Sequence, residues 1–388
     1  PRRGPGIGPR PTGRPLQGDE DLMRLGVRAA LVEGEVLPGD VVVEDGQIDR
    51  VGVEPAGRAG LAVPGFVDLQ VNGFGGRDFG SADVDGYREA GEALAATGVT
   101  AYQPTLISSP PGAYPEALGR AARAQGGVSG PRILGVHLEG PFLSPLWAGA
   151  HDPSHLVDPD PGLADRWCEA GPVAYVTLAP ERPGGLELIS HLVRRGITVA
   201  IGHTDADTAT AHAAFDRGAG AITHLHNAHR RWSHRDPGPA GAALVRPQVV
   251  VQAIVDHVHL APEAAYAAFL AARGRFALVT DAIAAAGLGE GEYPLGDRTV
   301  RVEGGEARLA DGTLAGSVLT MDRAVGNLIG LGVPEVEALE AASRVPAGLV
   351  GRPELGTLRP GTPADLVVLD DGNRVVRTLV DGEELFAR

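Results

Sequence analysis

Short apolar runs alternate with longer amphipathic segments through the middle of the chain. The apolar runs start near residues 65, 99, 133, 173, 197, 221, 249 and 276, and most are followed by an Ala-rich segment whose apolar residues have helical spacing. Examples of these segments are residues 84–96, 205–215 and 262–272. Eight strands that alternate with helices over about 280 residues are the pattern of a (β/α)8 barrel. The pattern therefore predicts an α/β protein with a TIM-type barrel at residues 64–345.

Both ends of the chain instead carry alternating apolar and polar residues interrupted by turn dipeptides. The N-terminal segments are residues 28–32, 40–43 and 48–53, and the C-terminal segments are residues 365–369 and 375–380. Dipeptides such as Asp45-Gly46 and Asp371-Gly372 punctuate them, which is typical of antiparallel strands. Since the two ends flank the barrel, we expect residues 21–63 and 346–388 to form one small β-sandwich domain together.

Three of the predicted barrel strands end at a side chain that can bind a metal ion. One apolar run ends at Glu139, the next at His203 and a third at His224. A lone glutamate at such a position is usually a helix cap or a surface ion-pair partner. However, the carboxyl ends of barrel strands all meet on one rim, and one carboxylate with two imidazoles there forms a catalytic metal site with a position left for water.

Asp281 follows the eighth predicted strand and belongs to the same rim. It could cap the following helix, but a carboxylate beside a metal-bound water can accept the proton of that water, so we predict a general base. Gln70 and Asn72 end the first strand, and amides are weak ligands for transition metals. The prediction is therefore one divalent metal ion per subunit, with zinc as the first expectation and iron, manganese or cobalt as alternatives.

The composition narrows the classes of partner and chemistry. With 34 basic and 49 acidic residues the net charge is −15, which argues against nucleic acid or an anionic membrane as a partner. All 34 basic residues are arginine, so Schiff-base chemistry on lysine is excluded. The single cysteine, Cys168, suits a cytoplasmic protein, and the Pro-, Gly- and Arg-rich residues 1–20 are predicted to be a disordered leader.

Eight short segments carry a family resemblance, and they read PGFVDLQVNGFGG, HLEGPFLSP, GAHDP, VTLAPE, GHTDAD, THLHNA, LVTDA and LAGSVLTMD. In this order they resemble the N-acetylglucosamine-6-phosphate deacetylases of the amidohydrolase superfamily, from about residue 25 to the end of the chain. The resemblance implies a metal-dependent barrel hydrolase, a small β domain made from both termini, and a homodimer. It also implies that Glu139, His203 and His224 hold the metal and that Asp281 is the acid/base.

The resemblance further implies a set of substrate-binding residues. His151 would face the reacting amide beside Ala150, while the phosphate would be surrounded by Asn227, Ala228, Arg235 and His259. The remaining lining residues would be Leu314, Ala315 and Gly316. Two departures from the family pattern, at His226 and His229, leave the detail of sugar recognition open. We expect the other histidines of the region to be solvated or to lie behind the ligands, and these are His226, His229, His234 and His257.

The implied reaction is the hydrolysis of N-acetylglucosamine 6-phosphate to glucosamine 6-phosphate and acetate. A related amidohydrolase that acts on another N-acetylamino sugar phosphate or a cyclic amide is one alternative, and a catalytically inactive scaffold with a structural metal is another. Asp281 argues against the scaffold, since a structural site has no use for an unpaired carboxylate. Arg235 and His259 argue against a neutral substrate.

Overall fold

The computed structural model describes residues 22–127 and 129–388, so the predicted leader at residues 1–20 lies outside the described residues. The described chain begins with six short strands, which are β1 (Leu22–Arg24), β2 (Ala29–Val32), β3 (Glu35–Pro38), β4 (Asp40–Glu44), β5 (Gln47–Val53) and β6 (Leu61–Pro64). The alternating segments of the sequence correspond to β2, β4 and β5. Strands β3 and β6 were not predicted, because each is only four residues long and ends in a proline.

Eight parallel strands then form a barrel that begins with β7 (Phe66–Val71), and a small hairpin of β8 (Gly73–Phe74) and β9 (Arg77–Asp78) follows that strand. The other barrel strands are β10 (Val99–Leu106), β12 (Val136–Glu139), β13 (Val173–Leu178), β14 (Thr198–Ile201), β15 (Ala221–Ile222), β16 (Val250–Ala253) and β17 (Phe276–Leu278), and the short strand β11 (Arg132–Ile133) pairs beside β10. Each barrel strand pairs with the next one in chain order, and a bridge between Val71 and Ala282 links the last strand to the first. The predicted TIM-type barrel is confirmed.

Ten helices surround the barrel or follow it in the described chain. They are α1 (Val84–Ala95), α2 (Tyr114–Gly127), α3 (Pro161–Ala170), α4 (Gly185–Arg194), α5 (Thr208–Asp216), α6 (Gly238–Leu244), α7 (Pro262–Ala271), α8 (Met321–Gly330), α9 (Glu335–Ala342) and α10 (Arg344–Leu349). Single 3-10 turns occur at Pro145–Trp147, Pro153–His155 and Pro353–Gly356. Helix α5 begins later than predicted because the side chain of Asp207 accepts a hydrogen bond from Thr210 N and caps it.

A three-stranded antiparallel sheet, β18 (Gly291–Leu295), β19 (Arg298–Glu303) and β20 (Glu306–Arg308), is inserted between β17 and α8. We call residues 291–308 the flap. The sequence analysis missed it, although the alternation in β19 and the Gly304-Gly305 turn are signals of a hairpin. The flap has its own buried cluster, in which Leu295, Val300 and Ala315 pack with Ile107 from the barrel.

The two ends of the chain share one sheet, as expected. Its order is β23 (Glu383–Ala387), β22 (Val375–Val380), β21 (Leu366–Leu369), β6, β2 and β3, while β1, β4 and β5 form a second sheet. The apolar faces of both sheets contribute to one cluster that includes Val41, Ile48 and Leu366. The predicted domain boundaries stay predictions, and the one between residues 345 and 346 falls inside helix α10.

The main hydrophobic core lies between the barrel strands and the helices and includes the fully buried rings of Tyr87, Trp167 and Phe276. No helix in the part of the chain that the structure describes is long and apolar enough to span a bilayer.

An ion pair joins the barrel to the terminal sheet. Arg132 in β11 donates from Nε to Asp365 Oδ2 (2.5 Å) and from Nη2 to Asp365 Oδ1 (3.1 Å), and it also pairs with Asp381. The side chain of Asp365 is only 1% exposed, while that of Arg132 is 25% exposed. A buried carboxylate that loses its cation keeps the cost of desolvation without the compensating attraction.

We therefore expect Arg132→Ala to lower the free energy of unfolding by about 2–4 kcal/mol, which is less than for a fully buried pair because the guanidinium is partly solvated. Chemical denaturation of the two proteins measures this difference. The matched control is Arg273→Ala, which breaks an exposed pair with Glu337 and should cost under about 1 kcal/mol. An equal decrease in the free energy of unfolding in the two variants would show that Arg132 does not hold the barrel and the terminal sheet together.

Candidate active site

A cavity of about 260 Å3 opens at the carboxyl rim of the barrel, the edge formed by the carboxyl ends of its strands. The structure brings most of the predicted site residues together there, and those that line the cavity are Glu139, Ala150, His151, His203, His224, Asn227, Ala228, His259, Asp281, Leu314 and Gly316. Arg235 and Ala315 do not line it. Ala315 is fully buried in the cluster of the flap, and Arg235 is exposed on the loop that follows Ala228.

The three predicted metal ligands converge on one point. Oε1 of Glu139 lies 2.9 Å from His224 Nε2 and 3.2 Å from His203 Nε2, and the two Nε2 atoms are 3.1 Å apart. Ligand atoms at about 2.0–2.1 Å from a tetrahedral zinc ion lie roughly 3.3 Å from one another. The triangle of one oxygen and two nitrogens therefore has the size of a metal coordination set.

The charge of Glu139 also fits a bound cation. Burial alone would raise the pKa of Glu139, but its contacts with the rings of His151, His203 and His224 outweigh this effect and hold the pKa well below its usual range. The ring of His203 donates from Nδ1 to the carbonyl oxygen of Trp147 (2.9 Å), because a carbonyl can only accept. Its Nε2 lone pair is therefore free to bind a metal, beside an ionised carboxylate.

The backbone at these positions is unusual. His203, His224 and Asp281 have φ values of 48°, 26° and 50°, in the left-handed region that residues other than glycine rarely adopt. Each follows the end of a barrel strand, so the strained residue turns the chain at the rim. Gly202 precedes His203 because a Cβ atom there would lie 2.7 Å from Thr177 Cγ2 and 3.0 Å from Thr223 Cβ. The packing of three strands thus places His203.

His151 also approaches Glu139, with 3.6 Å between Nε2 and Oε2, so a second set of three ligands, Glu139, His151 and His203, can be drawn. The tautomer of His151 decides against that set. Its Nδ1 accepts a hydrogen bond from the backbone N–H of Ser108 (3.1 Å), and burial lowers the pKa of His151 to about 4. The ring is therefore neutral with its proton on Nε2, which makes this nitrogen a hydrogen-bond donor rather than a metal ligand and leaves His224 as the better ligand.

Asp281 lies next to this set but faces amides rather than imidazoles. Its Oδ1 accepts hydrogen bonds from Asn72 Nδ2 (2.7 Å) and Gln70 Nε2 (3.2 Å), and the same Gln70 nitrogen donates to Glu139 Oε1 (2.9 Å). Burial, followed by the negative charge of Glu139, raises the pKa of Asp281 to about 6. From the sequence, Gln70 and Asn72 are recognisable only as poor metal ligands, and their role in orienting the carboxylate is visible only in the structure.

Another part of the cavity wall is formed by residues that follow β15 and β16. Asn227 and Ala228 lie after β15, and His259 lies after β16. Nδ1 of His259 donates to Asp256 Oδ2 (2.7 Å), so its Nε2 is the nitrogen left for a ligand. Burial would raise the pKa of Asp256, but its hydrogen bond with His259 outweighs this and lowers it, so the pair is held as a carboxylate and an N–H donor.

The remaining histidines divide as expected between solvent and the region behind the ligands. His234 and His257 are exposed, and His226 is partly buried with its ring 6.0 Å from that of Trp232. His229 is buried behind His224, with ring centroids 5.8 Å apart.

The apolar part of the cavity could not be predicted from the sequence, because single apolar residues in loops carry no periodic signal. This part consists of Ile107, Leu146, Trp147, Ile254 and Leu295.

Known proteins resemble this chain over most of its length. A sequence model of the amidohydrolase family matches residues 61–385. The chain is 39% identical over 343 residues to the N-acetylglucosamine-6-phosphate deacetylase of Danio rerio, which covers 84% of this chain and 85% of the relative. It is 36% identical over 330 residues to the N-acetylgalactosamine-6-phosphate deacetylase of Escherichia coli O157:H7, which covers 84% of this chain and 88% of the relative.

Solved structures extend the likeness to the whole fold. An N-acetyl-D-glucosamine-6-phosphate deacetylase from Mycobacterium smegmatis, solved as an aspartate-to-alanine mutant in complex with N-acetyl-D-glucosamine-6-phosphate, superposes with a TM-score of 0.89 at 36% identity and covers 95% of this chain and 100% of that one. The corresponding enzyme from Thermotoga maritima gives a TM-score of 0.86 at 33% identity and covers 94% and 100%. The chain therefore belongs to the amidohydrolase family and, within it, to the N-acetylglucosamine-6-phosphate deacetylases.

Proposed function

We propose that the protein hydrolyses N-acetylglucosamine 6-phosphate to glucosamine 6-phosphate and acetate. The observation that carries this proposal is the convergence of Glu139, His203 and His224 within 3.2 Å of one another, with the carboxylate of Asp281 joined to Glu139 through the amide of Gln70. A catalytic metal set beside an acid/base is an arrangement that can catalyse amide hydrolysis by water. The names of the curated relatives supply the substrate.

The three proposed ligands would hold one divalent cation, which supplies Lewis acidity for the water and for the amide carbonyl. Asp281 is placed to accept the proton of the attacking water, since its carboxylate is fixed by Asn72 and Gln70. The Nε2–H of His151 can donate a hydrogen bond to the carbonyl oxygen as negative charge develops there. Asp281 then returns the proton to the nitrogen of the departing amine, so one carboxylate serves both transfers.

At the other end of the cavity we assign the phosphate to Asn227, Ala228, Arg235 and His259. Backbone and side-chain N–H groups, one guanidinium and an imidazole suit a phosphate, and the guanidinium can bind two of its oxygens. In the structure Arg235 lies on the exposed loop after Ala228 rather than in the cavity wall. We propose that it contacts the phosphate when substrate is bound, while Leu314 and Gly316 form the wall beside the flap and Ala315 packs behind that wall.

The scaffold alternative is not favoured, because Asp281 is buried at the site without a cationic partner among the described residues. A different N-acetylamino sugar phosphate is not favoured either, since three of the four relatives named above are N-acetylglucosamine-6-phosphate deacetylases by name. We further propose zinc as the metal, a homodimer as the assembly, and a cytoplasmic location. The ligand set of one carboxylate and two imidazoles supports the first, the family resemblance supports the second, and the single cysteine supports the third.

The first test of this function is acetate release from N-acetylglucosamine 6-phosphate, followed by metal removal. Treatment with a chelator should abolish activity, because Glu139, His203 and His224 form the catalytic metal set. Titration with a divalent metal should restore it with an end point at one ion per chain, because Gln70 and Asn72 are engaged with Asp281 and Glu139. Elemental analysis of the restored protein checks the ratio, and two ions per active chain would contradict a single-metal site.

A second test separates the acid/base from the metal ligands. Asp281→Asn keeps the Oδ1 acceptor for Asn72 and Gln70, so the fold and the metal content should be unchanged. The variant cannot accept or return a proton, and kcat should fall by about 10²–10⁴-fold with substrate binding retained. Stopped assays together with metal analysis measure both quantities. Loss of the metal would show that Asp281 is a ligand, and near-full activity would leave His151 as the next candidate base.

The third test concerns Arg235. Arg235→Ala should remove a charge-assisted contact worth about 1.5–3 kcal/mol, seen as a 10- to 150-fold rise in KM for the phosphorylated sugar with little change in kcat. The matched control is Arg231→Ala, which removes another exposed arginine of the same loop and should leave KM unchanged. If both variants keep the original KM, Arg235 has no role in binding the phosphate.

A further inference from the structure

A second cavity lies directly behind the wall of the active-site cavity. Its volume is about 130 Å3, and residues of helix α2 and of the β9 hairpin are among those that line it, including Asp78, Tyr114, Ala117 and Arg120. Three residues line both cavities and therefore form the partition between them, and they are Asn72, Ile107 and Leu295. The side chains of Ile107 and Leu295 are the apolar part of this partition.

The partition is held in place by the flap. Leu295 is the last residue of β18, Gly296 begins the turn that follows, and the backbone N–H of Gly296 donates to the buried carboxylate of Asp78 (2.9 Å). Gly296 packs directly under Ile107, since a Cβ atom at this glycine would lie 3.0 Å from Ile107 Cδ1. Ile107 and Leu295 are 9% and 2% exposed. The apolar wall therefore has a fixed position, set by one barrel loop and one flap turn.

The substrate, as assigned under the proposed function, must direct its acyl group toward this wall. The proposed phosphate residues Asn227 and Ala228 follow β15, the sixth strand of the barrel, whereas Ile107 follows β10, the second strand. Strands two and six of an eight-stranded barrel lie across from each other. In addition, Ser108, the neighbour of Ile107, anchors His151, the donor for the reacting carbonyl. The carbonyl and its methyl group are thus on the Ile107 side.

We propose that Ile107 and Leu295 limit the acyl group of the substrate to acetyl, and that the cavity behind them can accommodate a longer acyl chain once Ile107 is shortened. This inference rests on the proposed function and names a specificity determinant of the same site. A water molecule occupies roughly 30 Å3 in the liquid, so a cavity of about 130 Å3 has room for the two additional methylenes of a butanoyl group.

The extent to which an apolar wall can discriminate between substrates of different acyl length is known in order of magnitude. One methylene that does not fit changes kcat/KM by about 10- to 200-fold. The unmodified protein should therefore hydrolyse N-butanoylglucosamine 6-phosphate at least about 100-fold less efficiently than the N-acetyl compound. In Ile107→Ala this ratio of the two kcat/KM values should shift by at least about tenfold toward the butanoyl compound, because the partition then opens into the second cavity.

The ratio of two substrates is the readout because it is independent of the fraction of active protein. Ile254→Ala is the matched control, since it removes the same atoms from a side chain that follows β16 and that lines the active-site cavity but not the second cavity. Its ratio should stay within about threefold of the unmodified value. Leu295→Ala gives an independent opening of the same wall from the flap and should shift the ratio in the same direction as Ile107→Ala.

A filling variant tests whether the second cavity itself receives the acyl chain. Ala117 lines only that cavity and is buried, so Ala117→Leu should fill part of it without touching the active site. Alone, this variant should leave N-acetyl hydrolysis unchanged. Combined with Ile107→Ala, it should reverse at least most of the gain on the butanoyl substrate. A double variant that keeps the full gain would overturn the assignment of the cavity, and so would slowed N-acetyl hydrolysis in Ala117→Leu alone.

Failure of this inference and failure of the proposed function give different results. If the unmodified protein releases no acid from either N-acyl sugar phosphate, the proposed function is wrong. If it hydrolyses the N-acetyl compound but Ile107→Ala and Leu295→Ala leave the ratio unchanged, the function stands and the wall is wrongly assigned. An unmodified protein that hydrolyses both compounds equally well would also overturn the role of Ile107 and Leu295.

Discussion

The negative charge of Glu139 is the constraint on which the arrangement of the site depends. A carboxylate that is 3% exposed can stay ionised only if hydrogen bonds and positive charge compensate for the lost water. Here the imidazoles of His203 and His224, the ring of His151 and the amide of Gln70 all converge on it. Each strand end must therefore deliver its side chain to the same point, which accounts for the strained backbone along the rim.

The pKa values of two buried carboxylates at the site are shifted in opposite directions, and this difference suits the two carboxylates to the different roles proposed for them. Glu139 is surrounded by nitrogen groups, and its pKa lies well below the usual range. Asp281 faces amides and the charge of Glu139, and burial raises its pKa to about 6. A permanently ionised oxygen suits a metal ligand, whereas a carboxylate that titrates near neutrality can exchange a proton during turnover. The different surroundings of Glu139 and Asp281 thus suit two similar carboxylates to different chemistry.

The sequence predicted the features that depend on periodicity and on strand ends. The barrel could be predicted because eight apolar runs alternate with helices, and the convergence of Glu139, His203 and His224 follows from their common rim. The flap was missed because it is inserted after the last barrel strand, where the alternation of strands and helices ends. The hydrogen bonds of Gln70 and Asn72, and the partition at Ile107, join residues more than 60 positions apart in the chain and depend on packing that no local pattern records. The exposed position of Arg235 could not be predicted either, because it depends on the conformation of one loop.

The sheet that contains both ends of the chain has a consequence for the order of folding during synthesis. Strand β6 pairs with β21, so about 300 residues separate two neighbouring strands. At a typical rate of roughly 5–20 residues per second, a ribosome needs about 15–60 s to make the residues between them. During this interval the apolar edge of β6 has no β21 to pair with, while the whole barrel emerges. The terminal sheet is thus the last part of the protein to assemble. Until β21 has been made, the unpaired edge of β6 has to be kept from pairing with other chains.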